Sequence, residues 1–513
     1  MIDKSIMNTR NIRRLALALF TLFGVAAHMA IGQALETDRA FTPTIPKTWE
    51  DQALELSEVP PADSAMSRVH VSADYYYRIP VRPIYKSYPV YAPGKEPPGY
   101  EEWLKQQEPE TVFDASKLKT EADWIRAGEV VFDAPIFYDA LVKASDVKDP
   151  LWHKYTGALA AKDGALPYFR YVVREKGKVE LGTISCAMCH TRVTPDGTVI
   201  KGAQGNFPLE RAGVYIVKRN FTPERLRIFE RSFFAAPWVK PDPLAGLDQL
   251  SLDQIAEWHA AIPTGVIARQ GTSPFHPAQV PDLIGVKDRK YLDHTGLQLH
   301  RSIEDMMRYS ALNQGADALA SYGGFIPGAR DFRALPDPST QRRYSDEQLY
   351  ALALYLYSLK PPANPNKFDA AAARGQKVFN REGCAVCHTP PLYTNNKLTP
   401  VDGFNVPDDH LKKYDILPLS VGTDPSLALK TRRGTGYYKV PSLKGVWYRS
   451  PLEHNGSVAT LEDWFDARRL RDDYVPTGFR GAGVKTRAVK GHVYGLNLRS
   501  EDRQALIAFL KTL

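Results

Sequence analysis

Residues 185–190, SCAMCH, and 383–388, GCAVCH, share the pattern Cys-x-x-Cys-His. The chain of 513 residues has four cysteines, and these two runs use all of them. Two Cys-x-x-Cys pairs alone could form disulfides or bind zinc. A histidine directly after each second cysteine is instead the attachment pattern of c-type haem. In that chemistry the two thiols add to the haem vinyl groups, and the adjacent histidine reaches the iron. Two covalent haems c are therefore expected, one on Cys186, Cys189 and His190 and one on Cys384, Cys387 and His388. Each run stands where a helix can begin, which would hold its cysteines and histidine on one side of a flat group.

The N-terminus reads separately. Lys4, Arg10, Arg13 and Arg14 precede an apolar run from Leu15 to about Ile31, and the small-residue site Gly32-Gln33-Ala34 follows. This is the layout of a secretory signal peptide over residues 1–34. The alternative is an uncleaved anchor, but the run is short for a spanning helix and contains His28. A periplasmic or secreted product is expected, with no stable membrane insertion after cleavage. The formal charge of +8 is dispersed along the chain, which gives no footprint for nucleic acid.

Haem function turns on the sixth iron position: a second strong ligand makes an electron carrier, an open position lets an oxidant bind. Methionine occurs outside the leader only at 66, 188, 306 and 307, so the second haem has no downstream methionine. Its candidates are His410, His454 and His492. His492 stands in a Gly-bounded loop, KGHVYG, just before a helix expected near Ser500, and is the first choice as distal ligand. For the first haem no partner stands out. His259, His276, His294 and His300 follow it, and Met306 and Met307 have the spacing of core residues. An open distal face at the haem held by His190 is favoured, and no catalytic side chain is assigned there.

A length of 513 residues allows two or three domains. Residues 35–110 are rich in Pro and Tyr and read as an extended segment that wraps the body. Helical patterns appear at TEADWIRAGEVVFDAP and at SDEQLYALALYLYSLKPP, the latter with an N-cap serine and terminating prolines. The plan restarts at FDAAAARGQKVFNREGCAVCH, and 500–512 mirrors 345–358. The expected fold is mainly α: a first cytochrome c-like unit at 111–363 with a large loop-rich insertion, and a second at 364–513 after the linker NPNK.

The second half resembles the bacterial dihaem cytochrome c peroxidase and MauG superfamily. The matching runs are LYTNNKLTPV, VGTDPS, YKVPSLKGVWYRSPLEHNGSVATLED and ALIAFLKTL, which cover most of residues 370–513. The wide separation of the two motifs is similar to the dihaem rubber oxygenases of the same superfamily. The resemblance implies that His190 and His388 are proximal ligands. It places His454 beside the second haem, His492 near that haem's distal position, and Trp447 close by. It implies calcium between the domains, with the Pro451 carbonyl at one ligand position. Where the peroxidases carry a histidine that blocks the first iron, this chain reads GAQGN, with Gln204 in the neighbourhood. Trp238 or Trp258 is a candidate relay between the haems, against a plain core role for each. The expected function is a redox enzyme using O2 or peroxide at the first haem, with the second as electron relay. A redox protein or an apolar organic molecule is expected as partner or substrate. The alternatives are a dihaem electron carrier without catalysis and a haem-based sensor.

Overall fold

The computed structural model describes residues 40–63, 66–140 and 142–513, and the expected leader lies outside the described residues. The helices that carry the argument are α1 (Glu121–Asp133), α2 (Leu209–Asn220), α3 (Pro223–Phe234), α4 (Leu252–Ala260), α5 (Ile303–Asn313), α6 (Asp346–Ser358), α7 (Ala370–Arg381) and α8 (Ser500–Lys511).

Two helix pairs repeat one design. Helix α1 is closed by a capping box, in which Thr120 accepts from the Asp123 amide while Asp123 accepts from the Thr120 amide. Ser345 and Gln348 build the same device at the start of α6. Trp124, Gly128, Val131 and Phe132 form the buried stripe of α1, and Ala372, Gly375, Val378 and Phe379 that of α7. At both crossings a glycine admits the partner backbone. A Cβ on Gly128 would come within 2.0 Å of the Ala351 carbonyl oxygen of α6, and one on Gly375 within 1.9 Å of the Ala505 carbonyl oxygen of α8. An aromatic pair closes each crossing, Phe132 with Tyr355 at 5.3 Å and Phe379 with Phe509 at 5.4 Å between ring centres. The sequence carries the repeat as Gly-x-x-Val-Phe at 128–132 and 375–379.

The expectation of a mainly α chain needs correction. Roughly 35% of the chain is helical and 13% strand, so the architecture is mixed. Strands β1 (Ser87–Tyr91), β2 (Phe137–Tyr138), β3 (Ala165–Glu175) and β4 (Lys178–Thr183) form an antiparallel sheet in the order β1-β3-β4-β2. Leu166, Tyr168, Phe169, Tyr171, Val173 and Leu181 pack its core. The β3–β4 hairpin turns at Lys176-Gly177, with Gly177 at φ 83°, a conformation that favours glycine. The Pro/Tyr-rich segment is not simply extended: it supplies β1 and short helices at Asp51–Ser57, Ala73–Arg78 and Tyr100–Lys105. Among the described residues no helix is long and apolar enough to cross a membrane.

The first motif follows β4 directly. Ser185 caps the single helical turn Cys186–Cys189 by accepting from the Met188 amide at 3.1 Å. The second follows α7 through Gly383 at φ 76° and a 3-10 turn at Cys384–Val386. The last helix begins at Ser500 as its first helical residue, with Arg499 and not the serine at the cap position.

Candidate functional site

Both motif histidines are buried and oriented alike. His190 Nδ1–H donates to the Pro281 carbonyl at 3.0 Å, and His388 Nδ1–H is shared between the Tyr393 and Pro441 carbonyls at 3.2 Å each. This fixes the tautomer and leaves Nε2 with its lone pair, as a metal ligand requires. Burial pushes both rings down to about 4, so they are neutral bases at pH 7.

His492 faces His388. Their ring centres lie 6.3 Å apart with planes at 50°. Two metal–imidazole bonds of about 2 Å each, extended to the ring centres, add to roughly 6 Å, so one metal fits between them. The Nδ1 of His492 is buried without a hydrogen-bond partner, and burial followed by the charge of His388 pushes the ring down to about 3. The loop is held from behind. Arg469, 1% exposed, donates to the carbonyls of Trp464, Val489, Gly491 and His492 at 2.7–2.9 Å. The His492 amide donates to the Val421 carbonyl at 2.6 Å, and the residue sits at φ 44°, in the left-handed region. Trp464 meets the ring edge-on at 5.1 Å.

His388, His492, Cys384 and Cys387 line a cavity of about 400 Å³ with mostly apolar walls. Arg289, Lys439 and Arg449 also line it. Arg289 donates to the Asp282 and Ile284 carbonyls, Arg449 to the Ser442 carbonyl, and Lys439 reaches only the Tyr291 carbonyl at 3.5 Å. None of the three makes an ion pair with a carboxylate among the described residues, and Arg449 Nε is buried without a partner. Burial, then the neighbouring Arg289, pushes Lys439 down to about 7. Buried cations need a counter-charge. A flat apolar ligand carrying carboxylates, as haem does, fits this cavity: apolar walls, two opposed imidazoles, two thiols at one edge and unpaired cations.

Segment 279–282 bridges the two motifs. Its Pro281 carbonyl orients His190, while Gln279, Pro281 and Asp282 also line the cavity of His388. Tyr448 donates to Asp282 at 2.9 Å, and Trp447 meets Tyr448 edge-on at 5.1 Å and packs against the cluster of Ile200, Ala203, Ile284 and Tyr448. Trp447 thus sits between the two halves. The expected relays lie elsewhere: Trp238 stacks on Tyr322 and Trp258 packs on Phe275. Among the described residues no ring faces His190 as His492 faces His388.

The remaining candidates are placed as follows. His454 lines the second cavity but is engaged at both nitrogens, with Glu453 at 2.6 Å and Tyr438 at 3.0 Å. His300 is likewise engaged, with the Arg289 carbonyl and the Tyr357 hydroxyl. His259 is clamped between Glu210 at 2.5 Å and Glu230 at 2.9 Å. His410 bonds Tyr437, and Met306 and Met307 are core residues. Gln204 is buried and donates to the Pro451 carbonyl at 3.0 Å. That carbonyl also accepts from Gln279, and the Ser450 carbonyl accepts from Arg192 at 3.2 Å. The expected calcium position does not fit a cation: donor N–H groups, one from a guanidinium, already hold its carbonyls. No cluster of three or more His, Cys, Asp or Glu suited to a metal occurs among the described residues.

Arg289, Lys439, Arg449 and Arg469 were not singled out by sequence. Lys439 and Arg449 stand in the run YKVPSLKGVWYRSP, but only the tertiary fold turns them into one cavity.

No known protein family matches the chain. It is 27% identical to the uncharacterized protein y4iM of Sinorhizobium fredii over 30% of this chain and 42% of that protein, so it spans under half the length of that relative. Among solved structures, Kuenenia stuttgartiensis hydrazine synthase aligns at 18% identity over 57% of this chain and 87% of its own, with a TM-score of 0.28. A MauG-like protein associated with microbial copper homeostasis aligns at 18% identity over 33% and 56%, with a TM-score of 0.21. Scores this low assign neither fold nor activity to this chain.

Proposed function

We propose that the protein is an exported dihaem c-type redox enzyme that uses O2 or peroxide at the site of His190 and relays electrons through the site of His388. The observation that carries the reading is the asymmetry of the two sites. His388 has an opposed histidine at 6.3 Å and His190 has none among the described residues. When bound, two covalent haems would supply an iron open to oxidant at the first motif and a six-coordinate relay at the second. Cys186 and Cys189 would hold the first, Cys384 and Cys387 the second.

The chain's own residues do the positioning. The Pro281 carbonyl keeps His190 in the tautomer that ligates. Arg469 holds the His492 loop through the Val489, Gly491 and His492 carbonyls, and the His492 amide ties it to Val421, so that ligand cannot swing away without breaking these hydrogen bonds. Arg289, Lys439 and Arg449 supply positive charge where a carboxylate-bearing group would rest. Segment 279–282, which hydrogen-bonds His190 and lines the cavity of His388, gives a through-bond and hydrogen-bonded connection between the sites.

The test is a carbon monoxide titration of the fully reduced protein, followed in the Soret band. Binding of one CO per two haems is expected. Absence of CO binding would make the protein a carrier with both irons capped, and two CO per chain would remove His492 as a ligand.

A further inference from the structure

A second cavity, of about 290 Å³, lies near Cys186 of the first motif. It is built by the Pro/Tyr-rich segment DYYYRIPVRP, by the end of α5 and by the stretch leading into α6. Its wall includes Tyr76, Arg82, Phe137, Gln314, Leu319 and Arg343. Gln314 connects it to the motif, because its Nε2 donates to Cys186 Sγ at 3.2 Å.

The cavity is charged and unsatisfied. Arg82 donates through Nη1 to the Ile136 carbonyl, and its Nε is buried without a partner. Arg343 donates to the Ile79 and Tyr344 carbonyls and lies over the Tyr76 ring at 5.3 Å. Neither guanidinium reaches a carboxylate within ion-pair distance among the described residues. Tyr76 is 1% exposed, and its hydroxyl lies beside the Arg343 guanidinium without a well-formed hydrogen bond; Gln314 Oε1 is buried and unpartnered. Buried polar atoms left unmade are costly and rare. Three of them on one cavity, beside two unpaired guanidinium groups and the apolar faces of Phe137 and Leu319, describe a recess shaped for a ligand. Arginine forks and a tyrosine hydroxyl suit a carboxylate, and the volume admits only a small molecule.

We infer that this cavity binds a small organic carboxylate with an apolar body, held by Arg82, Arg343 and Tyr76 with Gln314 between it and Cys186. Its role as the substrate recess of the first haem rests on the redox reading above; the binding itself does not. The segment 73–82 then has a function in the site as well as in wrapping the body.

The experiment is calorimetric titration of the holoprotein with benzoate at pH 7, with benzamide as the neutral isostere, and with the Soret band read in parallel. Benzoate should bind at least tenfold more tightly than benzamide. Arg82→Gln should weaken it at least tenfold, and Tyr76→Phe, which keeps the ring and its packing, severalfold. Equal binding of acid and amide, or no loss in Tyr76→Phe and Arg82→Gln proteins with wild-type melting temperature, would overturn the anion site. A Soret shift on binding supports the link to the first haem. Calorimetric binding with an unmoved Soret band would support the anion site and overturn its assignment to the redox reaction.

Discussion

The two Cys-x-x-Cys-His motifs stand on the same helix crossing and in different surroundings. The second follows α7 after a single turn, and its cavity is completed by an opposed histidine on a loop clamped by Arg469. The first is displaced from α1 by three of the four strands of the antiparallel sheet, and its histidine is tied to segment 279–282. A compact unit with two opposed imidazoles would suit electron transfer by a bound haem, since little has to move. A unit padded with a sheet, the α2–α4 insertion and the N-terminal segment has polypeptide with which to shape a recess. The difference teaches that one crossing, Gly-x-x-Val-Phe against Ala-x-x-x-aromatic, can carry either.

Four perturbations would break or sharpen this contrast. The largest effect is expected from the cysteines. Replacing Cys186 and Cys189 by Ala, or Cys384 and Cys387, should each remove one of two covalent haems, read by intact mass and by haem stain after denaturation. If either pair left the haem content unchanged, the two sites would not be equivalent attachments. Next come the crossings. Gly128→Ala and Gly375→Ala place a methyl group against backbone at 2.0 and 1.9 Å, and each should cost about 1–3 kcal/mol in denaturant unfolding. Gly375→Ala should release the second haem's spectrum from its native form while the first is retained, and the reverse should hold for Gly128→Ala. A joint loss in both variants would show one cooperative body.

A smaller effect concerns the insertion, which only the first half has. Burial alone would push His259 down, but Glu230 and Glu210 outweigh it and hold it up to about 10. A folded value raised above the unfolded 6.5 stabilises fully below about pH 6.5, and the contribution declines above that and is gone once pH passes about 10. The melting temperature should fall over this window, and His259→Gln should flatten the fall. The smallest effect is expected from calcium: chelation should leave melting temperature and spectra unchanged, because Arg192, Gln204 and Gln279 already hold the carbonyls of Ser450 and Pro451.

Much of this was legible in the sequence, because the signals are local. Cysteine spacing singles out Cys384 and Cys387, and both line the second cavity beside His388. The serine cap and the prolines bound α6, and the Gly-bounded loop before α8 points to His492. The β3–β4 hairpin has an equally local signal, two β-rich runs joined by Lys-Gly, ALPYFRYVVRE and KVELGT, but the helical patterns on either side are stronger. The cation lining of the second cavity had no local signal. Arg289 comes from a segment some 150 residues before Lys439 and Arg449, and only burial without a carboxylate makes the three significant. The relay tryptophans fall in the same class: Trp238 and Trp258 are packed in the first half, and Trp447 reaches the boundary by packing against the cluster of Ile200, Ala203, Ile284 and Tyr448.

The most direct test of the contrast is low-temperature electron paramagnetic resonance of the oxidised protein, quantified against haem and repeated on His492→Ala. One high-spin and one low-spin signal of equal weight are expected in the native protein, and two high-spin signals in the variant. Two low-spin signals in the native protein would contradict an open first site, and a variant that kept its low-spin signal would remove His492 from the second iron.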